Sequence, residues 1–369
     1  MNRAEQYNLT IKRMSQVGNG NFSPFDLDKV WADIQSVYNA NKGAIAEETY
    51  EEIPITFSTG NDIVGTVLAH NGKIYMIPYY GNRIRVLDTN DDSIYSFSTT
   101  SGGGYIGGCY APNGCIYAIP FSASKILKID PDNDTSTTFG SFGGGSKWRG
   151  AAITADGIIY SFPHSAGAVL KVDTNNDTYS TISGFGGTNI CADCVLARDG
   201  NIYSIPRNAG GVVKLNPNDD TYSVIGNVGS AQYKYLYGCI GIDENVYAID
   251  SDAAITTLKI DVENASVSTL NVTKSGNFAS VLCQNGYIYG TQYTTTGGTT
   301  TGTKKLDTVN ETITRIITNI NANYNSIKLA PNGCMYAIPA QSGKVLKINP
   351  NCPNKFSLST VLSPYINSY

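Results

Sequence analysis

The stretch Asn113-Gly114-Cys115-Ile116-Tyr117-Ala118-Ile119-Pro120, followed by Lys125-Ile126-Leu127-Lys128-Ile129-Asp130-Pro131, decides the fold. Asn-Gly is a tight-turn pair, because glycine accepts the positive φ that a hairpin requires. The Ile-Tyr-Ala-Ile run is β-branched and aromatic, as strands favour, and Pro120 ends it because proline gives no N–H to a ladder. The Asp130-Pro131-Asp132-Asn133-Asp134 run turns the chain again, since Asx side chains hydrogen-bond their own backbone. Strands over 105–111, 115–119, 126–129 and 135–141 then form one four-stranded unit.

Both phrases recur. The first centres on Tyr75, Tyr117, Tyr160, Tyr203, Tyr247, Tyr289 and Tyr336, at steps of 42, 43, 43, 44, 42 and 47 residues. The Asp or Asn of the second recurs at Asp88, Asp130, Asp173, Asn216, Asp261, Asp307 and Asn349. A four-stranded sheet repeated roughly every 40–45 residues is the signature of a β-propeller. The sequence therefore predicts an all-β fold, a seven-bladed β-propeller over 51–369, behind a short helical N-terminal arm over 1–50. Counting back from each hairpin turn gives Gly65, Gly107, Gly150, Asp193, Gly238, Ala279 and Ser326. Innermost strands crowd around the axis, so small residues belong there. Fourth-strand candidates exceed the blades by one: 53–58 precedes blade 1 and 356–362 follows blade 7. An open ring would leave unpaired edges, so 53–58 is expected to clasp the last blade, either replacing or flanking 356–362.

In the arm, Ser23-Pro24-Phe25-Asp26 reads as a helix start. Leu27, Val30, Trp31, Ile34, Val37 and Tyr38 then recur on one helical face over about 24–39. Such a face either packs on its own propeller or anchors the chain to a protein partner through residues 1–50. No apolar core of a signal peptide follows the N-terminus, so the expectation is cytosolic retention or release within a virus particle.

The chain has 369 residues, 15% charged, with a formal charge of -4, 38 Gly, 25 Tyr, 8 Cys and 2 His. That balance argues against a nucleic-acid partner, which needs a basic stripe, and no run of apolar residues is long enough for a membrane span. Cys191-Ala-Asp-Cys194 is a lone C-x-x-C without the second pair of a zinc ribbon or the βαβ setting of a redox motif. Asp88, Asp130 and Asp173 each open an Asp-x-Asp/Asn-x-Asp run like the first three ligands of a calcium loop, but the glycine at position 6 and the glutamate at position 12 are missing. Asx turns are expected there. No cofactor and no metal are expected, and the cysteines read as small core residues.

Strand alternation puts the loops after each Ile-Pro on the same face as the loops entering the innermost strands. That face collects Tyr79, Tyr80, Asn82, Tyr105, Phe121, Lys147, Trp148, Arg149, His164, Arg207, Asn208, Tyr233, Tyr235, Asp252, Tyr293, Tyr324 and Gln341. Aromatic area beside guanidinium and amide donors suits a glycan or protein receptor. The opposite face carries only short, uniform turns. His164 has no carboxylate in fixed relation to it, so no catalytic residue is assigned. The alternative is a lyase or hydrolase acting at the central mouth near Arg149 and His164.

The two repeated phrases resemble the repeats of the NHL and streptogramin-lyase-like propeller group over 51–369. The resemblance implies a propeller and, for the lyases, catalytic histidines on one face, where this chain has His164 alone. The repeats also look similar to those of bacteriophage structural proteins. That likeness implies a virion component, a tail or fibre part anchored by its arm, with a homo-oligomer as one arrangement.

Overall fold

The computed structural model describes residues 25–43, 47–55, 63–185, 190–229, 231–249, 256–270, 277–293, 302–318, 324–340 and 343–367. Seven antiparallel four-stranded sheets follow one another around an axis. Blades 1 to 6 occupy 63–98, 105–139, 152–183, 191–225, 239–270 and 277–318. Blade 7 takes three strands from 324–349 and its outermost strand, Thr49–Ile55, from the other end of the chain. That strand runs in register from Thr49 opposite Asn349 to Ile55 opposite Gly343.

The clasp therefore replaces a C-terminal strand, and the expectation of a strand at 356–362 is corrected. Ser357 caps a short helix there, α2 (Leu358–Val361), by accepting from the Thr360 N–H at 3.2 Å. The edge that segment would have paired with is already occupied by Thr49–Ile55. The outer strand also begins at Thr49, inside the stretch assigned to the arm.

The hub is as tight as its composition implies. A Cβ on Gly65 would lie 2.7 Å from the Gly107 Cα, and one on Gly150 would lie 2.5 Å from the Asp193 Cα. Neighbouring innermost strands thus touch backbone to backbone. Irregular register at Ile63/Gly65, Tyr105/Gly108, Cys191/Asp193 and Tyr324/Ser326 bends these strands as they enter the hub.

Farther out, the repeated tyrosines join blade to blade. All seven are fully buried. Tyr117 donates to Asp177 Oδ1 of blade 3 at 2.6 Å and accepts from Asn113 Nδ2 at 2.7 Å. Tyr75, Tyr160 and Tyr336 likewise reach Asp134, Asp220 and Asp92 of the following blade. Tyr289 reaches Glu48, which leads into blade 7's outer strand. These four aspartates sit at positive φ, between 51° and 61°, at the end of each Asp-rich turn. Blade 5 has Ala265 at that position. The tyrosine that would have used it, Tyr203, donates instead to Asp199 of its own hairpin at 2.8 Å. Lysines complete the latch, as in Lys128–Asp177 at 2.6 Å and Lys171–Asp220 at 2.7 Å. The first Asp of each run makes the expected Asx turn, as when Asp130 Oδ1 accepts from the Asp132 N–H at 2.9 Å.

Helix α1 (Leu27–Asn41) is capped by Asp26, not Ser23; Ser23 and Pro24 lie outside the described residues. Its apolar face turns onto the hairpin-turn face of its own propeller. Val30, Trp31 and Ile34 are buried, with Leu27, Val37 and Tyr38 packed at the margin. Trp31 Nε1 donates to Glu244 at 2.7 Å, and Asn41 Nδ2 donates to the Gln284 and Asn354 carbonyls at 2.9 Å each. Helix α3 (Pro364–Asn367) lies against the innermost strands of blades 4, 5, 6 and 7. Its Tyr365 and Ile366 are buried, and Tyr365 meets Trp31 edge-on at 5.8 Å. Helices α1 and α3 thus cover the hub on one side. Among the described residues no helix is long and apolar enough to cross a membrane.

Two outcomes follow. Gly65→Ala should lower stability by about 1–3 kcal/mol through overpacking, whereas Gly144→Ala, with nothing within 4 Å of its Cβ, should leave the melting temperature nearly unchanged. Trp31→Ala should cost about 3–5 kcal/mol in urea unfolding, as a buried aromatic does; a small loss would mean that α1 is a removable arm.

Candidate functional site

On the face opposite the helices, the loops are tied into an arc. The Gly104 N–H donates to the Tyr79 carbonyl (2.7 Å), Phe121 to Gly104 (2.9 Å), Lys147 to Phe121 (2.8 Å) and His164 to Lys147 (2.8 Å). Ile190 donates to His164 (3.1 Å), Arg207 to Ile190 (3.0 Å) and Lys234 to Arg207 (2.9 Å). Residues just after an innermost hairpin alternate with residues just before an innermost strand, so the repeat itself generates the arc. Tyr79, Phe121, His164 and Arg207 are equivalent positions in blades 1 to 4, each following the proline that ends a second strand.

Their side chains also touch in series. The rings of Tyr79 and Phe121 are 6.0 Å apart and those of Phe121 and His164 5.0 Å. Arg207 Nη1 lies 3.1 Å from His164 Nε2. A guanidinium only donates, so Nε2 is the acceptor, and Nδ1 carries the ring proton that faces Ser165 Oγ at 3.1 Å. The Nε2 lone pair is thereby engaged. Exposed rings stand at both ends of the arc. Tyr80, 56% exposed, packs edge-on against Tyr79 at 4.5 Å, and Tyr233, 49% exposed, lies under the Arg207 guanidinium at 4.7 Å.

The mouth is cationic. Arg149 is buried and stands 6.0 Å from the Tyr237 ring. Burial, and then the like charge of Arg149, pull Arg207 down to about 10. Burial also lowers Lys147 and Lys234, whose amines rest on the carbonyls of Gly145 (3.3 Å) and Ala231 (2.9 Å). Deeper in the hub lies Asp193, one of two hub positions that are not small; the other is Tyr237, which the pairing of Cys239 with Tyr247, as of Cys109 with Tyr117, puts in the place expected of Gly238. The Asp193 carboxylate accepts the Cys194 and Gly238 N–H groups at 2.8 and 3.0 Å. Burial nonetheless pushes it up to about 7 and pulls Lys328 down to about 8, outweighing their mutual attraction.

Of the residues expected on this face, the structure brings Tyr79, Tyr80 and Arg207 to the mouth, with His164 (7% exposed) and Arg149 (8% exposed) buried just beneath it. Four others are buried in packing roles. Tyr105 gives its hydroxyl to Ser101 (3.1 Å), Tyr235 to the Thr256 carbonyl (3.0 Å), and Trp148 its Nε1 to the Ala168 carbonyl (2.7 Å). Tyr324 is 3% exposed. The Tyr293 side chain lies outside the described residues. Lys234 and Tyr237 were not anticipated; Lys234 occupies the same repeat position as Lys147, which is the signal that marks it. Cys191 and Cys194 are buried, and burial pushes the Cys191 thiol up to about 12, the opposite of a reactive thiolate. Among the described residues no group of three His, Cys, Asp or Glu is placed to hold a metal.

No protein-family profile matches the sequence, and no curated protein does. Solved structures do. A streptogramin B lyase aligns at 15% identity and TM-score 0.69, covering 82% of this chain and 97% of that one. A catalytically inactive virginiamycin B lyase from Staphylococcus aureus, with quinupristin, aligns at 12% identity and TM-score 0.68 over 82% and 99%. The WD40 repeats of RRP9 align at 12% identity and TM-score 0.62 over 84% and 98%. Likeness at such identity carries the fold alone: the chain is a seven-bladed propeller resembling the streptogramin B lyase-like repeat propellers.

The raised Asp193 has a signed consequence. The folded state holds this proton more tightly than the unfolded one, so the contribution is full below about pH 4 and is lost as pH rises towards about 7. Asn at this position cannot titrate. The stability difference between the native chain and Asp193→Asn, from urea unfolding, should therefore shift against the native chain across that interval. A difference independent of pH would contradict the assignment.

Proposed function

We propose that this protein is a non-enzymatic binding propeller that offers its loop-face mouth to a glycan, as a structural component of a virion such as a phage tail or fibre part. The observation that carries the proposal is the unbroken arc of Tyr79, Phe121, His164 and Arg207, equivalent residues on four successive blades that have diverged into rings and a cation. Flat rings offer apolar area to sugar faces, and guanidinium supplies directional donors. The Gly-, Thr-, Asn- and Tyr-rich composition and the likeness of the repeats to phage structural proteins support the virion setting.

A lyase-type activity at the mouth would call on His164 as its base. Its Nε2 already accepts from Arg207, so that lone pair is engaged rather than offered to a substrate proton. Since α1 spends its apolar face on the propeller, attachment to a larger assembly is assigned to the residues ahead of Phe25.

A glycan array read with the native chain and with Tyr80→Ala tests the binding role. The expected result is a defined set of bound glycans, weakened by about tenfold or more in the variant and recovered chemically unchanged after prolonged incubation. Cleaved or eliminated products would establish the enzyme instead. Removal of residues 1–24 should abolish incorporation into particles.

A further inference from the structure

We infer that the mouth is an oxyanion site and that its glycan is an acidic one, with a sugar carboxylate seated on the Arg207 guanidinium between the exposed rings of Tyr233 and Tyr80. This deepens the glycan-binding role proposed above and rests on it.

The mouth carries unmatched positive charge. Among the described residues, no carboxylate forms an ion pair with Lys147, Arg207 or Lys234. Lys147 and Lys234 are 8% and 1% exposed, and their amines rest on the Gly145 and Ala231 carbonyls. Arg207 gives Nη1 to the His164 imidazole, keeps Nε buried with no acceptor among the described residues, and feels a second guanidinium, Arg149, nearby. Burying like charges together is costly unless a counter-charge arrives. Elsewhere in this chain the same problem is solved internally, since the latch lysines each have a carboxylate. The arc is where that rule is broken, and it is broken on three loops that the repeat brings together. A planar carboxylate matches the guanidinium fork in two parallel hydrogen bonds. The flanking rings fit a sugar ring better than an extended peptide, because they stand at the two ends of the arc rather than along a groove.

The test is calorimetric titration of the full chain with a uronic-acid trisaccharide and with the same trisaccharide after its carboxyls are reduced to alcohols. The acid form should bind about tenfold tighter or more, lose affinity as salt is raised, and be displaced by sulfate. Arg207→Gln should abolish the preference without lowering the melting temperature, since it removes a like-charge contact; Arg207→Lys, which keeps the charge and loses the fork, should retain only part of it. Equal affinity for both sugars, or a preference that survives Arg207→Gln, overturns the acidic assignment while the glycan-binding role stands. Binding of neither sugar, with a glutamate-rich peptide bound instead, overturns both.

Discussion

Backbone contact at the hub is the constraint on which the rest depends. Seven twisted sheets can share an axis only if their inner strands approach more closely than a side chain allows. Gly65 against Gly107 and Gly150 against Asp193 meet that condition with the chain itself. Once the inner edges are fixed, the outer edges splay apart, and the space between blades must be filled and tied. Buried tyrosines fill it, and their hydroxyls tie it to carboxylates on the next blade. The rule tolerates local exceptions. Where blade 5 carries Ala265, Tyr203 finds Asp199 within its own hairpin, so its buried hydroxyl keeps a partner.

The two faces differ for a related reason. The hairpin turns are short because the latch needs the Asp-rich turns at fixed positions, and α1 and α3 lie over that uniform surface. The other face is free of the latch and carries the longer connections. Its backbone arc makes those loops a continuous rim, so side chains at one repeat position can vary blade by blade while their Cα positions stay fixed. Tyr79, Phe121, His164 and Arg207 are the product of that freedom.

Much of this was legible in the sequence, because periodicity survives projection onto one dimension. The seven tyrosines, the small hub residues and the Asx turns all follow from spacing and turn chemistry. Three things did not. The carboxylates that end each Asp-rich turn read as turn residues, and nothing local says that they also serve the neighbouring blade. Segment 356–362 has the composition of a strand; Ser357 as a cap, and the prior claim of Thr49–Ile55 on the open edge, make it helix α2. On the loop face, alternation fixes which end of a strand a residue occupies but not its depth. Tyr105, Tyr235 and Trp148 were therefore placed on the correct face and yet turn inward to carbonyl and hydroxyl partners.

The origin of the clasp bears on how the ring is made. Thr49–Ile55 leaves the ribosome before any blade, yet the edge it completes, Gly343–Asn349, appears only after six blades have been made. Until then the growing ring is a crescent, and the strand that will close it is idle. Closure cannot begin before Gly343–Asn349 emerges, and it joins two segments that six whole blades separate in the nascent polypeptide.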